Sequence, residues 1–183
     1  MANPVVVDVT SRQVPTPCRI IPFTYEGTPR LQERAEGGFL KYTVPMYAVV
    51  VQGGSEYWAL RFGLVNHREK KHPAERQCDA GLSRARTVQP SWIGSYLPHS
   101  FDVPGRPGAW QLQQDFLIHQ GPDSKTIGGA LGCIEICGSG RWDHFLAELE
   151  KLAGVPCDEI GRRRLLTVNI EAAHPPMATL VPA

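Results

Sequence analysis

The chain has 183 residues, 42% of them hydrophobic and 20% charged, with a formal net charge of +1. That length suits one domain with a substantial core. The near-neutral charge gives no electrostatic case for nucleic acid or an anionic membrane as partner.

The N-terminus, Met1 to Asp8, has neither a basic n-region nor a long apolar h-region, so a secretory signal is not expected. No stretch approaches the roughly 18 apolar residues of a membrane-spanning helix. Eighteen glycines and sixteen prolines favour turns and short strands. Val5–Val9 is a β-branched run, and Cys18–Tyr25 is a short extended piece among prolines. Leu40–Val51 is a further strand, with Pro45 predicting a bulge or an edge. Gln52-Gly53-Gly54-Ser55 predicts a hairpin turn into Glu56–Val65, where residue types alternate. His67–Ala80 is highly charged and reads as a surface loop. Gln89–Tyr96 and Trp110–Ile118 are extended candidates, separated by the turn-rich 103–108.

One helix is expected, from Trp142, Phe145, Leu146, Leu149 and Leu152 at helical spacing, with Ser139 as N-cap and Gly154 ending it. Arg162-Arg163-Arg164, the one basic run, reads as a solvated turn. Leu165–Ile170 is a buried strand before a Pro-rich tail. The expected fold is one mainly β domain over residues 1–183 with a single helix in its C-terminal half. Its core spans about 40–172, and residues 1–39 form an extension packed on it.

The chemistry concentrates between residues 116 and 136. The apolar run Phe116-Leu-Ile brings His119 to a strand end, followed by Gly121 and a polar loop. A second apolar run begins at Gly132-Cys133-Ile134. If the two runs pair, imidazole and thiol meet at one end of the sheet, and an imidazole is the usual base that activates a thiol. Gly132 permits a tight backbone behind Cys133, so that amide N–H groups face a developing oxyanion. This pattern points to cysteine acyl transfer. Asp115, Asp123 or a backbone carbonyl would orient His119 equally well.

The order His-x-Gly, loop, Gly-Cys-Ile resembles the catalytic motif of the L,D-transpeptidase catalytic-domain family. Pro90-Ser91-Trp92-Ile93-Gly94-Ser95-Tyr96 looks like that family's segment before the active-site strand, and the resemblance covers about residues 87–136. It implies a β-sandwich or barrel and a cysteine that attacks a peptidoglycan stem peptide. The bond cut would follow a diaminopimelate-type residue, releasing terminal D-alanine. By position, Cys133 is the nucleophile, His119 its base, and Gly132 with the Cys133 amide the oxyanion hole. Gly121, Trp92 and Tyr96 would line the substrate cleft. An amine or water would resolve the acyl-enzyme, with no metal or cofactor.

Two departures stand out. Family members commonly read Ser/Thr-His-Gly-Cys, where this chain has Ala130 and Leu131 before Gly132. They also place an arginine two positions after the cysteine, where this chain has Glu135. The resemblance is nearest to divergent members that include antibacterial toxins delivered between cells. This would imply synthesis in the cytoplasm without a signal, non-classical export to a cell wall or periplasm, and a secretion machine or immunity protein as partner. The alternatives are a non-catalytic domain that keeps the fold, and an amidase or protease acting on a protein.

Other residues carry plainer readings. The five cysteines (Cys18, Cys78, Cys133, Cys137, Cys157) are odd in number and irregularly spaced, which argues against a disulfide framework and for a reducing compartment. Cys137 reads as core. His67, His72 and Cys78 match no standard zinc spacing. Arg61, Arg84 and Arg86 are candidates to replace the missing carboxylate-binding arginine, each otherwise a surface charge.

Overall fold

A computed structural model describes residues 2–20, 42–61, 78–88, 108–113, 116–121, 132–174 and 179–180. It is mainly β, as the composition predicts. The strands are β1 (Val5–Ile20), β2 (Tyr42–Val51), β3 (Glu56–Leu60), β4 (Gly81–Arg84), β5 (Arg86–Val88), β6 (Ala109–Gln111), β7 (Leu117–Gln120), β8 (Ile134–Ile136), β9 (Leu166–Ile170) and β10 (Thr179–Leu180). The helices are α1 (Arg141–Ala153) and α2 (Cys157–Arg162).

Nine strands pair in the order β4-β9-β1-β2-β3-β8-β7-β6-β5, and β10 pairs with β2 off this path. The two ends of the path, β4 and β5, are separated in sequence by Ala85 alone. The segment 81–88 therefore leaves β9 on one side and joins β6 on the other, which makes the sheet a nearly closed barrel. β1 lies between β9, to which it is parallel, and β2, to which it is antiparallel. The N-terminal segment is thus an interior strand of the sheet, and the expected extension over 1–39 is corrected for its described part. Val5, Val7 and Val9 alternate into the core, and this β-branched row binds both neighbours. Register shifts interrupt the β1–β2 ladder, and one of them spans Pro15, Pro17 and Pro45. Proline has no N–H to give to a ladder, so the bulge predicted at Pro45 falls where three of them face each other.

One sheet face carries the core. Val7, Val168, Ala59, Ile118, Ile134, Ile136 and Trp110 are buried there with Phe145, Leu146 and Leu149 of α1 and Ile160 of α2. Helical spacing of the α1 stripe matches the expectation, and Gly154 ends the helix in the left-handed conformation at φ 72°. Gly140, also left-handed, occupies the N-cap and no side chain caps that end, so Ser139 does not.

The β2–β3 hairpin is clamped onto α1 by Glu148. Its carboxylate accepts from the Ser55 N–H (3.0 Å), the Ser55 hydroxyl (2.8 Å) and the Tyr57 hydroxyl (2.8 Å). The single Tyr57 proton goes to Glu148, so His144 Nδ1, 2.7 Å from the same oxygen, donates to it. Burial and the Glu148 carboxylate together push the Tyr57 hydroxyl well above its ordinary pKa.

Two expected elements divide differently. Trp110–Ile118, expected as one extended piece, is the antiparallel pair β6 and β7. Leu112 N–H donates to the Phe116 carbonyl across the reversal. Trp110, Leu112 and Ile118 all enter the core, and apolar residues on both sides of the polar Gln113–Asp115 let the segment read as one strand. A second helix, α2, joins the single one expected. Pro156 at its N-cap and Asp158 and Glu159 in its first turn are start signals, but six residues are too few to show a period. β4 and β5 were not among the expected strands.

Candidate active site

β7 and β8 are neighbours and parallel, pairing Ile118 with Ile134, His119 with Glu135 and Gln120 with Ile136. Side chains alternate along a strand. Ile118, Ile134 and Ile136 enter the main core, so His119 and Glu135 project from the other face. Cys133 directly precedes β8. It is half-buried and packs with Val88, Ala109 and Leu117, the cluster on that same other face. His119 and Cys133 therefore stand on one face of adjacent strands. Cys133 is two residues along from the partner of His119. With strands about 4.8 Å apart and a rise of about 3.3 Å per residue, their Cα atoms lie roughly 8 Å apart.

The imidazole is tightly held. His119 is 1% exposed. Its Nδ1 lies 2.7 Å from the Gln120 carbonyl oxygen, which only accepts, so Nδ1 carries a proton and donates it there. Nε2 is then the basic nitrogen of the neutral ring. It faces Glu135 Oε1 at 3.8 Å, and Glu135 is 0% exposed. That carboxylate favours a positive charge on the ring over a neutral one. The orienting group left open between two aspartates and a carbonyl is, among the described residues, the Gln120 carbonyl.

Two glycines shape the site. Gly132 is buried at φ 102°, where a side chain would strain the backbone, and turns the chain into Cys133. Gly121, expected in the substrate cleft, is instead buried and donates its N–H to the Ile136 carbonyl at 2.8 Å. A Cβ there would lie 2.8 Å from Glu135 Cβ and 3.1 Å from Cys137 Sγ. Its role is to let the end of β7 close onto β8.

Three further thiols are interior. Cys137 is buried, its Sγ donating to the Glu135 carbonyl, and Cys157 is buried under α1. Cys78, expected at the end of a surface loop, is buried as well, and burial pushes its thiol up to about 11. Arg61 is not a surface charge: at 3% exposed it donates to the carbonyls of Thr10 and Glu171. Burial lowers its pKa, opposed by Tyr47 and Glu171. Arg84 and Arg86 are exposed. No group of three metal-ligating side chains occurs among the described residues. Trp92, Tyr96, His67, His72, His99, Asp115, Asp123, Ala130 and Leu131 lie outside the described residues, as do Gln89–Tyr96 and most of His67–Ala80.

The sequence carried a signal for Glu135 beyond its departure from the family pattern. Strand periodicity puts residues 133 and 135 on one face, so a carboxylate there must face whatever Cys133 faces. Nothing in the sequence singled out the Gln120 carbonyl, because a backbone acceptor has no residue signature. Compared with known proteins, the chain matches no family model, no curated protein and no solved structure.

Proposed function

We propose that the protein is a cysteine acyltransferase or carboxypeptidase that acts on peptidoglycan stem peptides, of the L,D-transpeptidase type. The observation that carries this reading is the placement of Cys133 and His119 on one face of neighbouring parallel strands, with Nδ1 committed to a carbonyl. That leaves Nε2 to take the thiol proton. The thiolate then attacks the carbonyl carbon, and the tetrahedral intermediate collapses with cleavage of the C–N bond. The imidazolium returns its proton to the departing amine, D-alanine, leaving a thioester on Cys133. An amine or water attacks the thioester, gives up its proton to His119, and frees the thiol. Glu135 beside Nε2 stabilises the imidazolium while the intermediate exists. Action at a cell wall, as a delivered antibacterial effector, belongs to the same reading.

Incubating muropeptides with wild type and Cys133→Ala, followed by mass spectrometry, tests it. Loss of D-alanine or new cross-links with wild type alone is expected. Identical product patterns from the two proteins would remove the assignment.

The packing of Cys133 against Val88, Ala109 and Leu117 favours a second reading, an inert thiol in a non-catalytic domain. Iodoacetamide separates the two. A catalytic Cys133 alkylates well below the ordinary thiol pKa of about 8.5, and only while His119 is present.

A further inference from the structure

The barrel closes at an open groove of about 540 Å³ lined by Ser83, Arg84, Arg86, Gln111, Gln113 and Arg164. Among the described residues, three guanidinium groups and no carboxylate line it. Among the described residues none of the three arginines forms a salt bridge, although Arg162 and Arg163 beside them both pair with Glu159. Arg86 Nε donates to Gln111 Oε1 at 2.6 Å, which fixes its fork across β5 and β6.

The backbone at Arg164 is a second, independent sign. Its φ is 52°, the only positive value among the described residues other than glycines. Arg164 N–H donates to the Gly161 carbonyl (3.1 Å) and Leu165 N–H to the Ile160 carbonyl (2.9 Å). This is the paired bonding of a helix end whose left-handed residue is usually glycine. An arginine held there, where glycine would carry no conformational cost, puts a third charge on the groove.

The groove shares a face with the candidate nucleophile. Arg86 pairs with Gln111, Gln111 with Leu117, and Cys133 is level with Leu117 on the next strand. Three strand spacings separate Arg86 from Cys133, about 14 Å between backbones, and the long arginine stems shorten the gap. An extended peptide covers that interval in about two to four residues.

We propose that this groove binds a side carboxylate of the acyl-donor peptide, that of a γ-linked acidic residue beside the one attacked, which reaches about the length of two to three extended residues from the carbonyl that Cys133 attacks. This rests on the acyl-transfer reading above. Planar guanidinium forks bind carboxylates through paired N–H donors, and Gln111, Gln113 and Ser83 supply the polar surround.

The test uses the tetrapeptide L-Ala-γ-D-Glu-diaminopimelate-D-Ala, with free carboxylates or with the side carboxylates amidated, titrated calorimetrically into Cys133→Ala protein. The free peptide should bind at least tenfold more tightly than the amidated one, an advantage that falls with salt. Adding Arg164→Gly should cut affinity for the free peptide about tenfold and leave the amidated peptide unchanged. The same substitution should raise the melting temperature by about 2–4 °C, because glycine suits the left-handed position. Arg86→Gln should reproduce the affinity loss without that gain in stability. Equal binding of both peptides, or wild-type affinity in both variants, overturns the groove. If wild type cleaves both peptides alike while the variants change nothing, the groove fails and acyl transfer stands. If the free peptide binds through the arginines but wild type leaves it intact, the groove stands and acyl transfer fails.

Discussion

Gly121→Ala isolates how closely β7 and β8 must approach. Two effects of opposite sign compete. Replacing glycine stiffens the unfolded chain and ordinarily stabilises by about 0.4–1 kcal/mol. In the folded protein the new Cβ would sit 2.8 Å from Glu135 Cβ, 3.1 Å from the Glu135 carbonyl carbon and 3.1 Å from Cys137 Sγ. Ordinary carbon contacts lie at about 3.5–4.0 Å, so β7 and β8 must separate by roughly 0.7–1 Å. None of the three opposing atoms is the loose end of a flexible side chain, and two belong to the backbone or first carbon of a residue that is 0% exposed. Overpacking of that kind costs about 1–3 kcal/mol. The steric cost wins, and the net loss is about 1–2 kcal/mol.

In urea unfolding, with a slope of about 2 kcal/mol per molar, the midpoint should fall by roughly 0.5–1 M. The same displacement moves Glu135 against His119 and, two residues back, Cys133. Alkylation of Cys133 at neutral pH should slow about tenfold, since a 1 Å error in a reacting pair costs up to about a hundredfold. Adding Cys137→Ala removes the sulfur contact but not the Glu135 contact, and should restore only part of the lost stability. A Gly121→Ala protein as stable as wild type, with unchanged alkylation, would show that the strands have slack and that the packing argument is mistaken.

Two further outcomes follow from other groups. Burial alone would raise the Glu148 carboxyl, but donors from Ser55 and Tyr57 outweigh it and hold the pKa below the ordinary value. Its stabilisation is therefore complete above the ordinary carboxylate pKa of about 4.3 and disappears as pH falls through the lower folded value. Glu148→Gln should cost about 1–2 kcal/mol at pH 7, since an amide offers one acceptor oxygen to three donors. The gap from wild type should close below about pH 4, and urea melts showing a constant gap from pH 7 to pH 3 would contradict the assignment. For His119 and Glu135, a double-mutant cycle with His119→Ala and Glu135→Gln should give a coupling of about 2–3 kcal/mol in stability. Additive single effects would mean that the 3.8 Å approach contributes nothing to stability.

Much of this was legible before any coordinates. The alternating valines of β1, the α1 stripe and β9 are legible from periodicity, because each buries one face against one core, and the Gly53-Gly54 turn and Gly154 from their turn chemistry. The pairing of the two motif strands was also readable, since two short apolar runs flanked by glycines have few other partners. What failed was local. The β6–β7 reversal has apolar residues on both sides of the polar Gln113–Asp115, so the segment reads as one strand. α2 is shorter than two helical turns. β4 and β5 are polar along their exposed face, where Arg84 and Arg86 alternate with Ser83 and Ala85. The Arg162–Arg164 run is the exposed turn that the sequence predicts, but the positive φ of Arg164 leaves no trace there because glycine is absent.

Under the acyl-transfer proposal, the acidic residue 135 and the cations at the barrel closure explain each other. A residue two positions after the cysteine shares its face and, here, meets the imidazole in a sealed pocket. A guanidinium in that place would set one buried cation against the nitrogen that must accept a proton, and would oppose the imidazolium as it forms. A carboxylate does the reverse, but it cannot also hold an anionic substrate. Recognition of a negative group must then come from elsewhere on that face. Along the row from Cys133 through Leu117 and Gln111, the described residues supply the needed charge at Arg86, with Arg84 and Arg164 beside it. On this view the base strand and the recognition groove are two halves of one arrangement, so Glu135→Arg alone should damage the proton relay without restoring anything the groove already provides.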